Sequence, residues 1–280
     1  MLASKPADSE VFARNRATGR IALSVAADGA GGRRERVYEA GALRIRFPNV
    51  SGNSALEAVI LNTAGGMTGG DCFDIDVAVR PDARLTVTTA AAEKVYRSLG
   101  PDARIAVKLT VGAGATLMWL PQETILFDRV RLRRSIDVDL SPDASLLLAE
   151  AVVFGRSAMG ETVTDGHFSD RWRVRLDQRL IFAECLRLDG AIARRLAEPA
   201  VAGGRAAVAS VLKVPADETV VAAVRALEKD FAGEVSASAW NGLAVTRLVA
   251  ADGAALHHDL NRVLTAFADM PRPRLWLWLN

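Results

Sequence analysis

The feature of this sequence that most restricts its fold is a period of two in the placement of its apolar residues. In ALRIRF, Leu43, Ile45 and Phe47 alternate with arginines, and in RIAVKLTV apolar residues occupy every second position. Successive side chains of a β-strand point to opposite faces, so this pattern is typical of strands with one buried face. The more continuous apolar run at 146–153 indicates a strand buried on both faces. The alternation therefore predicts a mainly β protein.

A weak internal repeat indicates how these strands are arranged. RPDARLTV from Arg80, GPDARIAV from Gly100 and SPDASLLL from Ser141 each join a Pro-Asp turn to a strand, and VGAGATLMW from Val111 is a looser copy. The spacing of the Pro-Asp starts corresponds to roughly one and then two repeat units. A recurring turn and strand predicts helically stacked β-sheet layers, as in a β-solenoid. An ordinary β-sandwich is the alternative.

Two segments in the C-terminal third depart from the period of two and predict α-helices. Asp217 is positioned to cap a segment whose apolar residues, within 220–231, fall on one helical face. Asp252 is positioned in the same way before the apolar residues of 256–267. We therefore expect a β-solenoid-like fold with two α-helices near its C-terminal end.

Charge and composition exclude several classes of protein. The net charge is +2 and the arginines are interleaved with acids, so no cationic tract points to nucleic acid. The residues MLASKPADSEVFARNR do not predict a signal peptide, and no run of about eighteen apolar residues predicts a membrane span. Cys72 and Cys185 lack a Cys-x-x-Cys spacing, which predicts two buried thiols in a cytoplasmic protein. We expect residues 1–280 to form one domain, with the first 20 frayed.

The segment LNTAGGMTGGD, residues 61–71, is the densest cluster of glycine in the chain. A phosphate-binding loop would continue into Lys-Ser or Lys-Thr and a helix, whereas Asp71 and the strand-like FDIDVAV follow here. A tight crossing between strands explains the glycines without a ligand, but it does not explain the acid. The turn glycines are Gly65, Gly66, Gly69 and Gly70.

Residues for catalysis or for tight metal binding are few. The chain has no Gly-x-Ser-x-Gly elbow, and neither cysteine has a nearby histidine. His257 and His258 are adjacent in a predicted helix and point about 100° apart, so one ion does not easily reach both. A carboxylate pair for glycoside hydrolysis would have to come from Asp71, Glu123, Asp128, Glu150 and Glu161. The sequence therefore favours a protein that is not an enzyme and has no tightly bound cofactor.

Three segments carry a resemblance to a known family. They are GGMTGGD (65–71), TTAAAEKVYRS (88–98) and WLPQETILFD (119–128). In this order they resemble the urease accessory protein UreD family, also called UreH, and GRSAMGE and the closing PRPRLW resemble two further family segments. The resemblance runs from about residue 20 to the end. Two departures are Ala90, where the family often has Gln, and Glu93, where a small or hydroxyl residue is common.

The resemblance implies a fold of helically stacked sheets with two helices, and a protein that is not an enzyme. Members of the family bind apo-urease and recruit the partners UreF and the GTPase UreG, and the assembly delivers nickel to the urease active site. An internal tunnel is proposed for the nickel. For this chain the resemblance thus implies a urease maturation scaffold that contacts nickel(II) transiently. The alternative is a β-rich interaction module with no metal role.

A conduit for nickel must bind the ion weakly at several points, because strong ligands would stop it. Asp71 lies where a solid core would not accept a charge. We therefore predict an interior polar passage lined or shaped by Asp71, Thr88, Thr89, Lys94, Gln122, Glu123, Glu150 and Glu161. Arg156 is expected to be the structural partner of one of these acids.

A docking surface for UreF is less well defined by the sequence. The two predicted helices and the C-terminal LWLWLN are the best apolar candidates, because tryptophans make effective interface anchors. Packing of the same residues in the core is the alternative.

Overall fold

The computed structural model describes residues 15–29, 31–48, 55–98 and 100–267 together with Trp276, the side chain of Ala158 excepted. Within these residues the chain is mainly β, with two stacked sheets and three short to medium helices. The prediction of a mainly β fold with stacked sheet layers is confirmed. No helix in the described part of the chain is long and apolar enough to span a membrane.

Seventeen strands and three helices follow one another along the described chain. The strands are β1 (Thr18–Asp28), β2 (Gly31–Gly41), β3 (Leu43–Arg46), β4 (Leu56–Asn62), β5 (Cys72–Val79), β6 (Arg84–Thr89), β7 (Glu93–Val95), β8 (Ala103–Val111), β9 (Thr116–Trp119), β10 (Thr124–Leu126), β11 (Val130–Leu140), β12 (Ser145–Phe154), β13 (Gly166–Leu176), β14 (Arg179–Gly190), β15 (Ala207–Val214), β16 (Glu234–Trp240) and β17 (Leu243–Ala250). The helices are α1 (Ile192–Ala197), α2 (Glu218–Ala226) and α3 (Gly253–Phe267).

The strands form a seven-stranded and a ten-stranded sheet. The seven-stranded sheet has the order β14-β13-β11-β8-β5-β1-β2, and its five central strands are parallel. The ten-stranded sheet has the order β16-β17-β15-β12-β9-β6-β4-β3, with β4, β6, β9 and β12 parallel. The short strands β7 and β10 extend this sheet beside the last residues of β12. Parallel stacks in both sheets are what a solenoid of successive coils produces.

Each coil crosses from the seven-stranded to the ten-stranded sheet through a tight turn. These turns close with hydrogen bonds of 3.1 Å from Ala83 N to the Arg80 carbonyl, from Ala115 N to Gly112, and from Ala144 N to Ser141. They lead into β6, β9 and β12, which are neighbours in one sheet. The Pro-Asp turn after Gly100 instead leads into β8 of the other sheet. The repeat unit is therefore one whole coil, and the shorter unit read from the Gly100 segment is wrong.

Two hydrophobic clusters lie on opposite faces of the ten-stranded sheet. One fills the space between the sheets, and the other lies on the outer face of the ten-stranded sheet beneath α2, α3 and Trp276. Strand β12 contributes to both clusters, with Leu146 and Leu148 on the inner side and Leu147 and Ala149 on the outer side. This confirms that the run at 146–153 is buried on both faces.

The two predicted helices are present, with their predicted caps. An Asp217 side-chain oxygen accepts a hydrogen bond of 2.9 Å from Thr219 N, and Asp252 accepts one of 2.9 Å from Ala255 N. Helix α3 buries the predicted apolar face. Helix α2 ends at Ala226, so residues 227–231 of the predicted helical segment 220–231 are not part of it. Helix α1 was not predicted, because its six residues are too short to show a helical period.

Two further expectations differ from the structure or lie partly beyond it. Strand β1 begins at Thr18, so the end of the segment expected to be frayed is paired with its neighbours, while residues 1–14 lie outside the described part. The prediction of buried thiols is wrong for Cys185, which is exposed because it occupies an outward position of β14; Cys72 is half-buried.

Candidate functional site

A cavity of about 280 Å³ lies between the two sheets, beside the glycine-rich turn. Much of its wall is apolar: Leu43, Ile60, Leu61, Phe73, Ile75, Ile105, Val107 and Trp119. The polar part of the wall consists of Asn62, Thr89, Glu93, Lys94, Gln122, Thr124, Arg134 and Glu150. The alanines 90–92 contribute to the wall as well, and Ala90 and Ala91 are exposed, so this segment forms its mouth. The solenoid core therefore contains a chamber whose wall is partly polar.

Half of the residues predicted to line a passage contribute to this wall. They are Thr89, Lys94, Gln122 and Glu150. The other four, which are Asp71, Thr88, Glu123 and Glu161, do not contribute to it. That these residues form a passage stays a prediction, and the geometry narrows the set that can take part.

The period of two explains the omission of Thr88, and the loop before β10 turns Glu123 to the outer side. Thr88 and Thr89 are consecutive in β6, so their side chains point to opposite faces of the sheet. Thr88 is fully buried on the outer side, away from the cavity. Glu123 follows Gln122 and lines a narrow gap beside His257 and Trp276 on the outer side. Thr89 and Gln122 thus line the chamber, whereas their neighbours Thr88 and Glu123 do not.

Asp71 holds the glycine-rich turn rather than facing the cavity. Its carboxylate is buried and accepts hydrogen bonds of 2.8 Å from Ala17 N and 2.8 Å from Thr68 N. These bonds tie the start of β1 to the turn. The charge that the sequence left unexplained thus satisfies two backbone donors that would otherwise be buried without acceptors.

The turn glycines allow close approach of the chain to its neighbours. A Cβ on Gly69 would lie 1.8 Å from Ser98 Oγ, and one on Gly66 would lie 2.5 Å from Tyr96 Cε2. Gly65 and Gly66 have positive φ angles, as does Gly70, and Gly65 and Gly66 also line the cavity. The segment is therefore a tight crossing that also forms part of the chamber wall.

Glu161 and Arg156 form an ion pair on the outside of the fold. Arg156 Nε donates to Glu161 Oε2 at 2.7 Å, and its guanidinium stacks over the ring of Phe127 at 4.3 Å. This pairing lowers the pKa of Glu161, chiefly through the hydrogen bond from Arg156. Glu161 therefore shapes the surface around the 127–161 region and does not reach the interior.

A buried ion-pair triad forms one end of the cavity. Arg134 of β11 donates to Glu150 of β12 in the opposite sheet, and it contacts Asp170 of β13 with two hydrogen bonds of 3.0 Å and 2.6 Å. Arg134 also donates to Thr124 at 3.1 Å, and the Trp119 indole donates to Glu150 at 2.9 Å. Arg134 and Asp170 were not predicted as site residues. The available signal was that each stands at an inward position of an alternating strand, where an apolar residue is expected.

Two carboxyl groups on the cavity wall have strongly altered acidity. Burial raises the pKa of Glu150 to about 7, against the opposing charge of Arg134. Burial also raises the pKa of Glu93 to about 7; the hydrogen bond from Asn62 opposes this shift and the charge of Asp71 adds to it. Burial lowers the pKa of Arg134, but its two carboxylate partners outweigh this and keep it above the ordinary value. Glu93, noted in the sequence only as a departure, is thus a second acidic group of the chamber.

The side-chain amide of Gln122 lies in the cavity wall with both of its polar atoms unpaired within the described part of the chain. Its side chain is 2% exposed, and neither its Nε2 nor its Oε1 has a hydrogen-bond partner among the described residues. Its backbone N–H donates to Thr89 Oγ1 at 2.9 Å, which fixes the loop that carries it. A buried amide presents both a donor and an acceptor, and water or a passing ligand would satisfy them.

Smaller cavities continue from the triad towards the other end of the sandwich. A space of about 20 Å³ shares Glu150 with the main chamber and also touches Asp170. It shares Glu184 and Leu186 with a cavity of about 130 Å³. A groove of about 470 Å³ along β14 shares Leu186 with that cavity and contains the exposed Cys185. The smallest of these spaces touches two members of the triad, Glu150 and Asp170, and the groove is lined partly by outward residues of the edge strand β14.

The described residues contain no cluster of three or more His, Cys, Asp or Glu side chains arranged to hold a metal ion. His257 stacks on Trp276 with ring centroids 5.2 Å apart and an interplanar angle of 8°. His258 is exposed on the same helix and lies 3.2 Å from the Asp230 carbonyl through its Nε2. The two adjacent histidines therefore have separate surroundings, as their spacing in a helix predicts.

Comparison with known proteins identifies the family. The sequence model described as "UreD urease accessory protein" matches residues 17–277. Proteins named "Urease accessory protein UreD" from Rhodopseudomonas palustris strain HaA2 and from Bradyrhizobium diazoefficiens are 52% and 51% identical to this chain; the alignments cover 97% and 96% of it and 97% of each relative. "Urease accessory protein UreD 3" of Bradyrhizobium sp. strain BTAi1 is 49% identical, over 97% of both chains. The chain therefore belongs to the UreD urease accessory protein family.

Proposed function

We propose that this protein is a cytoplasmic urease maturation scaffold that passes nickel(II) through the chamber between its sheets. Membership of the UreD family supports a role in urease maturation. The observation that carries the finer proposal is the chamber itself, which places several polar side chains inside an otherwise apolar core and is separated by a buried ion-pair triad from a smaller space. The protein acts by holding and transferring cargo, and it catalyses no reaction itself.

The wall of the chamber has the chemistry that a weakly held cation requires. Glu93 and Glu150 supply carboxylate oxygens, while Thr89 and Gln122 supply neutral oxygens. Oxygen ligands of this kind bind nickel less firmly than a cage of histidine and cysteine. A hydrated ion with six waters occupies roughly 180 Å³ of liquid volume, which is less than the chamber volume of about 280 Å³. The chamber can therefore hold the ion with much of its hydration shell.

The triad acts as a charged partition between the chamber and the smaller space in this proposal. One guanidinium, that of Arg134, faces the carboxylates of Glu150 and Asp170. When both acids are ionised the triad carries one net negative charge, so it attracts a cation without holding it strongly. Movement of the Arg134 side chain would join the chamber to the smaller space beyond Glu150.

The proposed partners are apo-urease, UreF and the GTPase UreG. Trp276 is a weaker candidate for docking UreF than the sequence suggested. Trp276 is 1% exposed and its indole donates to the Leu120 carbonyl at 2.8 Å, so it packs within the fold. Trp278 lies outside the described residues. The exposed sides of α2 and α3 stay candidates for that contact.

Co-expression tests the proposed function. Urease subunits, UreF and UreG would be expressed with and without this chain in a host that lacks urease, and nickel-dependent urease activity would be assayed. We expect co-elution of the chain with apo-urease and at least a tenfold loss of activity without it. Equal activity in the two strains would overturn the maturation role. Dependence on the chain for assembly, with unchanged nickel in urease, would support an interaction module without a metal role.

A further inference from the structure

The two outer faces of the sandwich differ in what covers them. The outer face of the ten-stranded sheet is covered by α2, α3 and Trp276. Within the described residues, the outer face of the seven-stranded sheet carries no such layer over its central strands. Those strands, β1, β5, β8, β11 and β13, are parallel, and mainly parallel sheets are generally covered on both faces. This uncovered face is therefore a candidate for cover by another molecule.

The outward positions of this sheet have a restricted composition. Their apolar residues on the five central strands are alanines, namely Ala22, Ala26, Ala78 and Ala106, and the edge strands β14 and β2 add Ala183, Leu180 and Tyr38. Their basic residues are Arg20, Arg104, Lys108, Arg131, Arg133, Arg171, Arg173, Arg175 and Arg187. Their acids are fewer and all short: Asp74, Asp76, Asp137, Asp139 and Asp189. We call these outward positions the basic face.

On the basic face the long basic side chains place their charges farther from the sheet than the short aspartates do. Arg104 pairs with Asp74 at 3.1 Å and Arg171 with Asp137 at 3.4 Å, so the aspartates are neutralised close to the sheet. Arg20, Lys108 and Arg173 form no ion pair with any residue that the structure describes. The outermost layer of the basic face is therefore positive, and three of its cations have no partner within the described fold.

The basic face is broad enough for a protein partner. Strands lie about 4.8 Å apart and residues advance about 3.3 Å along a strand, so six strands and seven residues span roughly 24 by 23 Å. The resulting area of about 550 Å² approaches the roughly 800 Å² that each partner contributes to an ordinary interface. A sheet face that carries no helix or loop of the described chain over its central strands suits a flat partner surface.

We propose that the basic face docks a flat, acidic protein surface, and that this surface belongs to apo-urease. The choice of apo-urease rests on the proposed function, whereas the acidic chemistry of the partner rests on the charges of the face. A protein partner is favoured over nucleic acid because aspartates recur across the face and would repel a phosphate backbone. The outward positions of the five central strands also carry no Phe, Tyr or Trp on which bases could stack, and Tyr38 is at the edge, on β2.

Two variants of equal charge change provide the test. Arg20→Gln, Lys108→Gln and Arg173→Gln together remove the three unpaired cations from the basic face and break none of its ion pairs. Arg194→Gln, Arg225→Gln and Lys229→Gln remove three exposed cations from α1, α2 and the turn after α2. Binding of each full-length protein to purified apo-urease would be titrated at several salt concentrations. Thermal unfolding would establish that both variants are folded.

The account predicts at least a tenfold weaker affinity and a smaller salt dependence for the basic-face variant, and a change within twofold for the control variant. Equal affinities of the two variants would overturn the docking proposal and leave the proposed function standing. Failure of the unaltered chain to bind apo-urease would overturn both. If the basic-face substitutions instead weaken binding only to a duplex DNA of about 20 base pairs, the face is a nucleic-acid site and the proposal is wrong.

Discussion

Arg134 and Glu150 join the two sheets through a buried ion pair across the core. Arg134 is 4% exposed and Glu150 is 5% exposed, and the guanidinium also holds Asp170 of its own sheet. Charges are costly to bury, so such a group is retained in a core only where its partners are present. The pair thus links the stability of the fold to the electrostatics of the chamber.

Removing Arg134 alone is expected to destabilise the fold strongly. Arg134→Met leaves two buried carboxyl groups without their cation, at a cost of about 3–5 kcal/mol in the free energy of unfolding. The triple change Arg134→Met, Glu150→Leu and Asp170→Leu should recover most of that loss, because no buried charge is left unpaired. Urea denaturation at pH 7.5 measures each value.

Arg131 provides the matched control in the same strand. It pairs with Asp102 at 2.8 Å on the partly exposed outer side. Arg131→Met is expected to cost no more than about 1 kcal/mol. A loss for Arg134→Met as small as that for Arg131→Met would contradict the assignment of a buried, mutually dependent triad.

Glu93 is expected to make stability depend on pH. Its pKa is about 7 in the folded chain against about 4.5 for the unperturbed group, so the folded state binds more protons between these values. The free energy of unfolding should therefore decrease as pH rises from about 4.5 to about 7. Glu93→Gln removes this dependence and should be more stable than the unaltered chain at pH 8 by on the order of 1–3 kcal/mol.

Most of that difference should be absent at pH 5, where the folded-state carboxyl is already protonated. The amide of Gln keeps an oxygen that accepts the hydrogen bond from Asn62, so the change is conservative. Glu228→Gln, at an exposed position after α2, controls for the loss of a surface carboxylate. An equal stability of Glu93→Gln and the unaltered chain at pH 8 would exclude a destabilising buried charge at Glu93.

Gly69 is expected to tolerate no side chain. A methyl group there would lie 1.8 Å from Ser98 Oγ and 2.3 Å from the Pro101 carbonyl oxygen. Gly69→Ala should therefore lower the free energy of unfolding by at least about 2 kcal/mol. Gly100→Ala has open space around its methyl group and should change it by less than about 0.5 kcal/mol. Similar unfolding curves for the two variants would show that the crossing is looser than described.

Trp276 is expected to anchor the C-terminal end of the chain. Trp276→Ala removes a buried indole and its contact with His257, at a cost of about 3–5 kcal/mol. Trp276→Phe keeps an aromatic ring but leaves the Leu120 carbonyl without its donor, for a loss of about 1–3 kcal/mol. Chemical denaturation would rank the variants. Trp240→Phe is the control at a partly exposed tryptophan and should cost less than either.

The sequence predicted the fold better than the site, for a physical reason. Alternation and capping are local, so the strands, the caps at Asp217 and Asp252 and the doubly buried β12 could be read directly. The chamber depends on which coils stack, and only the stacked register brings Arg134 beside Asp170. Thr88 and Thr89 are consecutive in one strand, so the alternation of side chains between the two faces of β6 indicates that only one of them faces the chamber.

The contacts of Arg134 show why the sequence does not predict which residues meet across the two sheets. Its position within β11 interrupts an apolar series, which indicates a buried charge but not its partner. The partner Glu150 comes from the opposite sheet, and no local pattern relates the two. For Asp71 the sequence indicated a buried charge correctly but not its role. The predicted role was to line a passage, whereas the carboxylate accepts hydrogen bonds that hold the glycine-rich turn.

The passage of nickel through the chamber is tested most directly by filling its mouth. Ala92 lines the chamber and is half-buried, whereas Ala27 is exposed near the end of β1. Urease would be purified from cells co-expressing UreF, UreG and either Ala92→Phe or Ala27→Phe, and its nickel content per active site would be measured by mass spectrometry. The account predicts at least a tenfold lower nickel content with folded Ala92→Phe and no change with Ala27→Phe. Full nickel content with folded Ala92→Phe would contradict the account.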